Sequence, residues 1–414
     1  MARQSRSRSK LRILFLTENL ASGGAQRQLV LLASNFAHLD HDVTVLTYHS
    51  DSFFAQELAA NSVRHLFLNE PRRVQRTLAC RRFLRSSKPD AVVSFLSTPN
   101  LIAELSSIPI RSWGLVVSER NSYTHTPPIK MLHRYLFHLT ADYVTTNSHT
   151  NRLLIERHAP WLRGRIVTIY NTVDLDHFSI GKGARPVKGV RLVGVGRHAY
   201  QKNISSLVKA IGILTSSGIC SDLTLDWYGD SFRNSDSSMD TEKNNARSSA
   251  YDQATGLLRE LKIEDRVHFH QPVKEIRKQY WRSSALILPS FFEGLPNVVC
   301  EAMACGLPIL MSRVCDATAL VKDGENGLLF DPHSVNDIAS ALHKFANLSQ
   351  KARTAMGKRS RALAEELFRS DDFTKRYSEI VEAAASKRRI RLHHWTEKVP
   401  ESAIESARVP ILGR

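Results

Sequence analysis

Two carboxylates with seven residues between them, Glu293 and Glu301, stand out in the stretch ALILPSFFEGLPNVVCEAMACGLPIL at residues 285–310. Both can accept hydrogen bonds from the hydroxyls of one ligand if a loop and a helix bring them to one crevice. The pattern supplies those elements. Residues 285–289 are a short apolar run, which reads as a strand buried on both faces. Residues 290–296 follow as a loop holding Glu293, Gly294, Leu295 and Pro296, and the pattern is helical from Asn297 until Gly306 and Pro308 stop it. A helix opening there turns its first backbone N–H groups and the positive end of its dipole toward a phosphate. A carboxylate touching that phosphate would repel it, so the glutamates are placed for hydroxyls. A nucleotide-sugar uses both features, and open parallel sheets bind ligands where strands end and helices begin.

The composition bounds what surrounds this stretch. A chain of 414 residues has room for two or three domains and a sizeable core. Its 42% hydrophobic and 23% charged content is ordinary for a globular protein, and no apolar run approaches the roughly 18 residues of a membrane span. The start, MARQSRSRSKLRILFLTENL, has an apolar core confined to residues 11–16 before Glu18, too short for a secretion signal. Residues 1–10 therefore read as a loose basic tail on a cytoplasmic protein. Cys80, Cys220, Cys300, Cys305 and Cys315 are scattered and odd in number, which implies no disulfide framework. Cys300 and Cys305 have no Cys-x-x-Cys or histidine cluster beside them and read as small buried hydrophobes, not zinc ligands.

Lysine and arginine number 57 against 40 acidic residues, a net charge of +17 that attracts polyanions: nucleic acid, an anionic membrane surface, or a pyrophosphate-bearing substrate. The charge gathers at Arg72 and Arg73, at Arg81 and Arg82, and in SKRRIRLHH at 386–394. No zinc-finger, RNA-recognition or basic-zipper signature is present, so nucleic acid is not the expected partner.

Along the chain, strand candidates at 11–17, 43–47, 64–68, 91–96 and 114–118 alternate with helical or polar stretches, the pattern of a parallel α/β domain with right-handed crossovers. After the first strand comes ENLASGGA and a helical stretch at 26–37, so Gly23 and Gly24 set backbone N–H groups at a strand end. SERN at 118–121 closes another run, with Glu119, Arg120 and Asn121 at its end and His125 four residues on. Residues 141–148 read as a strand ending in a helix cap at Ser148. RIVTIYNTVDLDHF at 165–178 ends the domain, and residues 179–189 are a linker rich in Gly, Lys and Pro. A second strand series follows at 190–196, 223–228, 267–270, 285–289, 307–311 and 327–330. Residues 231–250 are polar and are expected to form a mobile surface loop. From Val335 the pattern is helical, and the last segment, 386–414, mixes basic residues with Trp395, as either a lipid-contacting or a disordered tail.

The string EGLPNVVCEAMACGLPI, on its strand, loop and helix, resembles the signature of the retaining glycosyltransferases of family 4, which have the GT-B fold. GRHAYQKN resembles that family's G-R-x(4)-K loop, ENLASGGA its glycine loop with Gln26 at the usual acidic position, Asn171 to Asp174 its N-x-V-D element, and DGENGLLF its D-G-x-x-G turn. The resemblance implies an α/β architecture of two Rossmann-like doubly wound domains facing a cleft: 1–180 for the acceptor, 190–370 for the donor, and 371–414 as a returning helix and basic tail. It implies a metal-independent hexosyltransferase with no cofactor beyond the nucleotide-sugar, UDP-linked by the form of EGLPNV. The sugar would pass to an acceptor hydroxyl in surface polysaccharide or lipid-linked glycan synthesis, at the inner face of the cytoplasmic membrane through peripheral contact with anionic lipid. Arg197 and Lys202 would clamp the diphosphate and neutralise it as it leaves. Glu293 would bind the sugar or stabilise its developing positive charge, Gly294, Leu295, Pro296 and Asn297 would line the donor, and Glu301 would accept from the ribose. Glu119 would join the catalytic set, and Gly23, Gly24, Arg120 and Asn121 would present the acceptor. Asp174-Leu-Asp176 looks like a metal triplet, but it belongs to the longer element, and Asp40-His-Asp42 is a turn before a strand. Another GT-B enzyme, such as a sugar-nucleotide epimerase or a phosphorylase, and a non-enzymatic polyanion-binding protein remain as alternatives.

Overall fold

Runs rich in Val, Ile, Leu and Phe build a first parallel sheet from β1 (Arg12–Leu16), β2 (Asp42–Thr47), β3 (Arg64–Phe67), β4 (Ala91–Phe95), β5 (Gly114–Glu119), β6 (Tyr143–Thr146) and β7 (Ile166–Thr168). Their order is β3-β2-β1-β4-β5-β6-β7. The computed structural model describes residues 10–120, 128–181, 189–220, 222–230, 241–388, 390 and 399–408. Asn121, His125, and most of the linker and the basic segment after Arg388 lie outside them. The central strands β4 and β5 bury every residue, as parallel strands covered on both faces must. β3, at the sheet edge, is largely exposed.

The crossovers are α1 (Gly24–His38), α2 (Ala55–Ala60), α3 (Arg73–Ser87), α4 (Ser97–Ser106), α5 (Pro128–Phe137) and α6 (His149–His158). Ser148 caps α6 as its position predicts, its side chain accepting from the Asn151 N–H. The helices divide between the faces. Cys80 and Leu84 of α3, Ile102 and Ala103 of α4, and Met131 and Tyr135 of α5 share one core with Leu14, Leu16 and Val117. Leu29, Leu32 and Phe36 of α1 and Leu58 of α2 pack on the other face with Phe15, Val45 and Val93.

A second parallel sheet contains β8 (Val190–Val195), β9 (Leu223–Tyr228), β10 (Val267–His270), β11 (Ala285–Leu288), β12 (Ile309–Ser312) and β13 (Gly327–Phe330), in the order β10-β9-β8-β11-β12-β13. Its helices are α7 (Ile204–Ser216), α8 (Thr241–Leu261), α9 (Arg277–Tyr280), α10 (Asn297–Ala304), α11 (Ala317–Leu320), α12 (Val335–Ala346) and α13 (Gln350–Leu367). The ends of β8 and β9 approach so closely that a Cβ on Gly229 would lie 1.9 Å from the Gly196 carbonyl oxygen. Only glycine fits there.

Two stretches differ from the sequence reading. The polar segment 231–250, expected as a loop, is helical from Thr241, because Ala254 and Leu258 anchor α8 in the core beside α7 and the helix extends N-terminally from that anchor. The end of the chain is not wholly a tail: α15 (Glu401–Arg408) packs on α11, burying Ala403 and Ala407 one turn apart, while the Ser402 hydroxyl meets Thr318 at 3.0 Å.

The chain divides into two compact units. The first runs to Thr172 and also takes Ser370–Val399, because α14 (Ser370–Ala385) lays Phe373, Tyr377, Ile380 and Val381 into the core under β4 and β5. This is the terminal helix expected to return. α14 also comes close enough to β5 that a Cβ on Gly114 would meet the Ala384 backbone at 2.3 Å. The second unit is Val173–Arg369 with Pro400–Arg408.

Candidate active site

β8 and β11 are hydrogen-bonded neighbours whose chain connections leave in opposite directions across the sheet. That is the topological switch point, where an open parallel sheet leaves a crevice at its carboxyl edge. The loops after these strands, 196–203 and 289–296, hold the motif residues, and they are tied together. Phe291 N–H donates to the Gln201 carbonyl at 2.9 Å, and Gln201 Nε2 returns a bond to the Phe292 carbonyl at 2.8 Å. Asn203, in the left-handed conformation at φ 53°, is buried and donates from Nδ2 to the carbonyls of Pro289 at 3.1 Å and Pro332 at 2.8 Å. A short polar side chain tolerates that backbone region, and here it also joins three loops.

The outcome is a contact between the two motifs: Lys202 Nζ donates to Glu293 Oε1 at 2.6 Å. Both side chains keep access to water, 16% exposed for Lys202 and 10% for Glu293. Arg197 is exposed at the end of β8. α10 begins after Pro296 with no side chain capping it, so the helix start faces the loop that carries Glu293 and Gly294. Glu301 is buried, and Tyr280 of α9 donates to its Oε2 at 3.5 Å. Ser290, which opens the loop, is fully buried with its hydroxyl unpaired. Cys300 on α10 and Cys305 just after it are buried, and burial pushes both thiols up, Cys305 to about 12, in keeping with small core residues. Asp174 Oδ1 accepts from the Asp176 and His177 backbone N–H groups, a local turn.

Glu119 and Arg120 belong to the first unit and are differently placed. The Glu119 carboxylate is 1% exposed and accepts from Asn100 Nδ2 at 2.9 Å, from Arg134 Nη2 at 2.6 Å, and lies 3.2 Å from His138 Nε2. His138 Nδ1 in turn meets Glu104. Burial pushes the Glu119 carboxyl up, but Arg134 and His138 together hold it well below the usual carboxylate range. Burial opposes a charge on His138, yet its bonds to Glu104 and Glu119 raise it to about 9. Arg120 stacks over Phe95 at 4.2 Å and donates to Ser118 Oγ at 2.9 Å, Asn171 Oδ1 at 2.6 Å and Tyr377 Oη at 2.7 Å. The expected catalytic role of Glu119 and acceptor contact of Arg120 therefore meet two side chains whose polar atoms are taken up inside the unit's core. Asn121, expected beside them, lies outside the described residues.

At the end of β1, Gly23 caps α1 in an extended conformation, and a Cβ there would lie 2.3 Å from Gln26 Oε1. Gln26 folds back over the loop and donates to Asn19 Oδ1 at 3.0 Å. The first sheet reverses its order between β1 and β4, and Leu96 at the end of β4 has φ 79° and ψ 163°, a region that normally belongs to glycine. Sequence reasoning missed Leu96, Asn203, Tyr280 and Tyr377. Asn203 follows Lys202 in the cation loop and was legible as a turn residue; the other three carry no local signal.

Comparison with known proteins agrees with this geometry. A model described as Glycosyltransferase Family 4 matches residues 22–177, and one described as Glycosyl transferases group 1 matches residues 178–363. The GalNAc-alpha-(1->4)-GalNAc-alpha-(1->3)-diNAcBac-PP-undecaprenol alpha-1,4-N-acetyl-D-galactosaminyltransferase of Campylobacter jejuni is 26% identical over 337 residues, covering 77% of this chain and 84% of that protein. A D-inositol 3-phosphate glycosyltransferase of Streptomyces griseus is 34% identical over 142 residues, 33% of this chain and 30% of that protein. Among solved structures, Anabaena Alr3699/HepE in complex with UDP-glucose matches with a TM-score of 0.77 at 17% identity, over 90% of this chain and 100% of that one. Sucrose-phosphate synthase from Thermosynechococcus elongatus matches with a TM-score of 0.76 at 17% identity, over 91% of this chain and 100% of that one. At such identities the likeness establishes the fold, two Rossmann-like units of the GT-B type.

Proposed function

We propose that this chain, which belongs to the group 1, family 4 glycosyltransferases, moves a sugar from a UDP-linked donor to a hydroxyl of a lipid-linked glycan, with retention at the anomeric carbon and without a metal. The observation that carries the proposal is the Lys202–Glu293 contact, at 2.6 Å, at the switch point beside the start of α10. When the donor enters, Lys202 leaves Glu293 for the diphosphate, joined by Arg197 and by the opening N–H groups of α10. The released Glu293 carboxylate then faces the sugar and stabilises the positive charge that grows at its anomeric carbon. The bond from that carbon to the diphosphate breaks, the acceptor oxygen bonds on the same face, and the hydroxyl proton departs with the diphosphate. Glu301, oriented by Tyr280, accepts from the ribose hydroxyls. Gly23 and Gly24 serve the acceptor side. Glu119 positions the strand end from within the core.

The UDP donor is supported by the Anabaena complex with UDP-glucose, and the lipid-linked acceptor by the PP-undecaprenol-bearing substrate in the Campylobacter relative's name. An acceptor on a lipid places the working enzyme at the inner face of the cytoplasmic membrane as a peripheral protein. The net charge of +17 favours such contact. Among the described residues no helix is long and apolar enough to cross a membrane.

Calorimetric titration with UDP, GDP and ADP tests the donor site. UDP binds in preference, and Glu301→Ala weakens it by about tenfold or more, the worth of a hydrogen bond to a charged group. Binding of none of the three overturns the glycosyltransferase reading. The anomeric configuration of the product, read by NMR, decides retention.

A further inference from the structure

The two helical layers of the first unit differ in what they show to water. α4 packs against both α3 and α5, and the three share one core beneath them, so they form one continuous layer. That layer exposes large apolar side chains. Val74 and Leu78 of α3 lie one turn apart on its outer face, 74% and 48% exposed. Leu132, Leu136 and Leu139, spaced for one face of α5 and the short turn that continues it, are each more than 40% exposed. Ile110, in the loop after α4, is 78% exposed, and its carbonyl accepts from Arg85 Nη2 at 3.3 Å, which ties the loop to the end of α3. On the opposite face α1, α2 and α14 carry no large exposed hydrophobic residue within their bounds, and the flanking exposed ones are two, Leu39 after α1 and Phe53 before α2, among the described residues.

Charge follows the same division. α3 has five arginines and no carboxylate; Arg82 and Arg85 are exposed on the side that carries Leu78. Across α3, α4 and α5 the single carboxylate is Glu104, which is buried against His138. The opposite layer mixes signs, with Glu57, Asp371, Asp372, Glu379 and Glu382 beside Arg27, Lys375 and Arg376. Unit 1 is thus uneven across its sheet: the α3–α4–α5 face is cationic and apolar, and the other layer is of mixed charge.

We propose that the α3–α4–α5 face is the surface that docks on an anionic lipid bilayer. Exposed leucine, isoleucine and valine enter the headgroup boundary while the arginines remain with the lipid phosphates, the arrangement of an interfacial amphipathic surface. A nucleic acid has no use for the leucine stripe, and a second copy of this face would set arginine against arginine. The mixed-charge layer of α1, α2 and α14 faces away from the lipid. This inference rests on the reading that the acceptor is carried by a lipid, and it assigns the contact to folded helices, not to the basic segment after Arg388.

The test is sedimentation of the full chain with vesicles of phosphatidylglycerol and phosphatidylcholine, against phosphatidylcholine alone, for wild type and two variants. One variant is Arg82→Gln with Arg85→Gln, and the other is Leu132→Ser with Leu136→Ser and Leu139→Ser. Wild type binds the anionic vesicles and not the neutral ones. The arginine pair weakens binding roughly thirtyfold, about fivefold for each cation near the surface, and the leucine variant weakens it at least tenfold. Transfer to a short, water-soluble acceptor is unchanged in both, which shows that they are folded. Unchanged vesicle binding in either variant, or none in wild type, overturns the proposal. So does light scattering that finds a wild-type dimer which the leucine variant converts to monomer. Loss of transfer to the soluble acceptor in wild type would sink the enzymatic reading and leave the vesicle result to stand by itself.

Discussion

The carboxyl ends of β5 and β11 make an instructive pair. Each strand delivers a glutamate to a turn, and each glutamate meets a cation. At β5, Glu119 is 1% exposed and is held by Asn100, Arg134 and His138. At β11, Glu293 bonds Lys202 across two loops, and both side chains still reach water. The first arrangement is a closed network, in which taking away one charge strands the others in a low-dielectric core. The second is a pair that can be opened by an incoming anion, because water and ligand can replace what each partner loses. The residue type is the same in the two places, Glu119 closing β5 and Glu293 lying in the loop after β11; the count of partners and the access to solvent separate framework from machinery.

The contrast is broken most directly at Lys202. Lys202→Ala lowers kcat by about 10²–10³-fold, the worth of a charge aimed at a developing anion, while the unfolding midpoint moves little. Arg134→Ala has the reverse pattern: it leaves Glu119 buried without its guanidinium and costs about 3 kcal/mol of stability, read by denaturant unfolding, while turnover per folded molecule survives. If Arg134→Ala abolished turnover at full stability, Glu119 would have to be returned to the catalytic set.

The same network has a pH signature. The folded pKa of His138, about 9, lies above its unfolded value near 6.5, so its stabilisation is complete below the unfolded value and is lost as pH rises through the folded one. The difference is worth about 3 kcal/mol at its full extent. Glu104 and Glu119 face the ring, the Tyr135 ring lies 5.8 Å from it, and Arg134 bonds Glu119. Unfolding free energies of wild type should therefore fall between pH 7 and 9.5, and His138→Gln should flatten that slope. A smaller effect sharpens the second unit. Asn203→Ala, which loses two buried hydrogen bonds and places alanine at positive φ, costs about 2 kcal/mol, and Asn203→Gly about half of that because glycine keeps the backbone conformation.

Most of the frame was legible because parallel strands buried on both faces are written as short apolar runs, and the helix that follows β11 is marked at both ends by Pro296 and Gly306. Ser148 was legible as a cap because a cap is a local device. The Lys202–Glu293 contact was expected only as two motifs in one domain; the bonds of Gln201 and Asn203 that bring the loops together depend on strands 90 residues apart in sequence. Glu119 misled for the same reason. Its neighbours in sequence look like a strand end open to ligand, and what closes it comes from Asn100, Arg134 and His138 on other elements. The helix at Thr241–Leu261 was hidden by a polar first half, since its anchoring residues lie in the second. The backbone of Leu96 has no sequence signature at all, because leucine is not a residue that such a conformation favours.

The position of α14 has a consequence for the order in which the molecule can be finished as it is made. The core of the first unit needs Phe373, Tyr377, Ile380 and Val381, and Tyr377 closes the hydrogen bonds around Arg120 and Thr145. The core of the second unit is drawn from Val190 to Met356 without a break in sequence. Most of the first unit is made before the second, yet its last structural member leaves the ribosome only after the second core is complete in sequence. For the time it takes to translate some two hundred residues, at about 5–20 residues per second, β4 and β5 wait with part of one face uncovered, and chaperone capture in that interval acts on the unit made earlier.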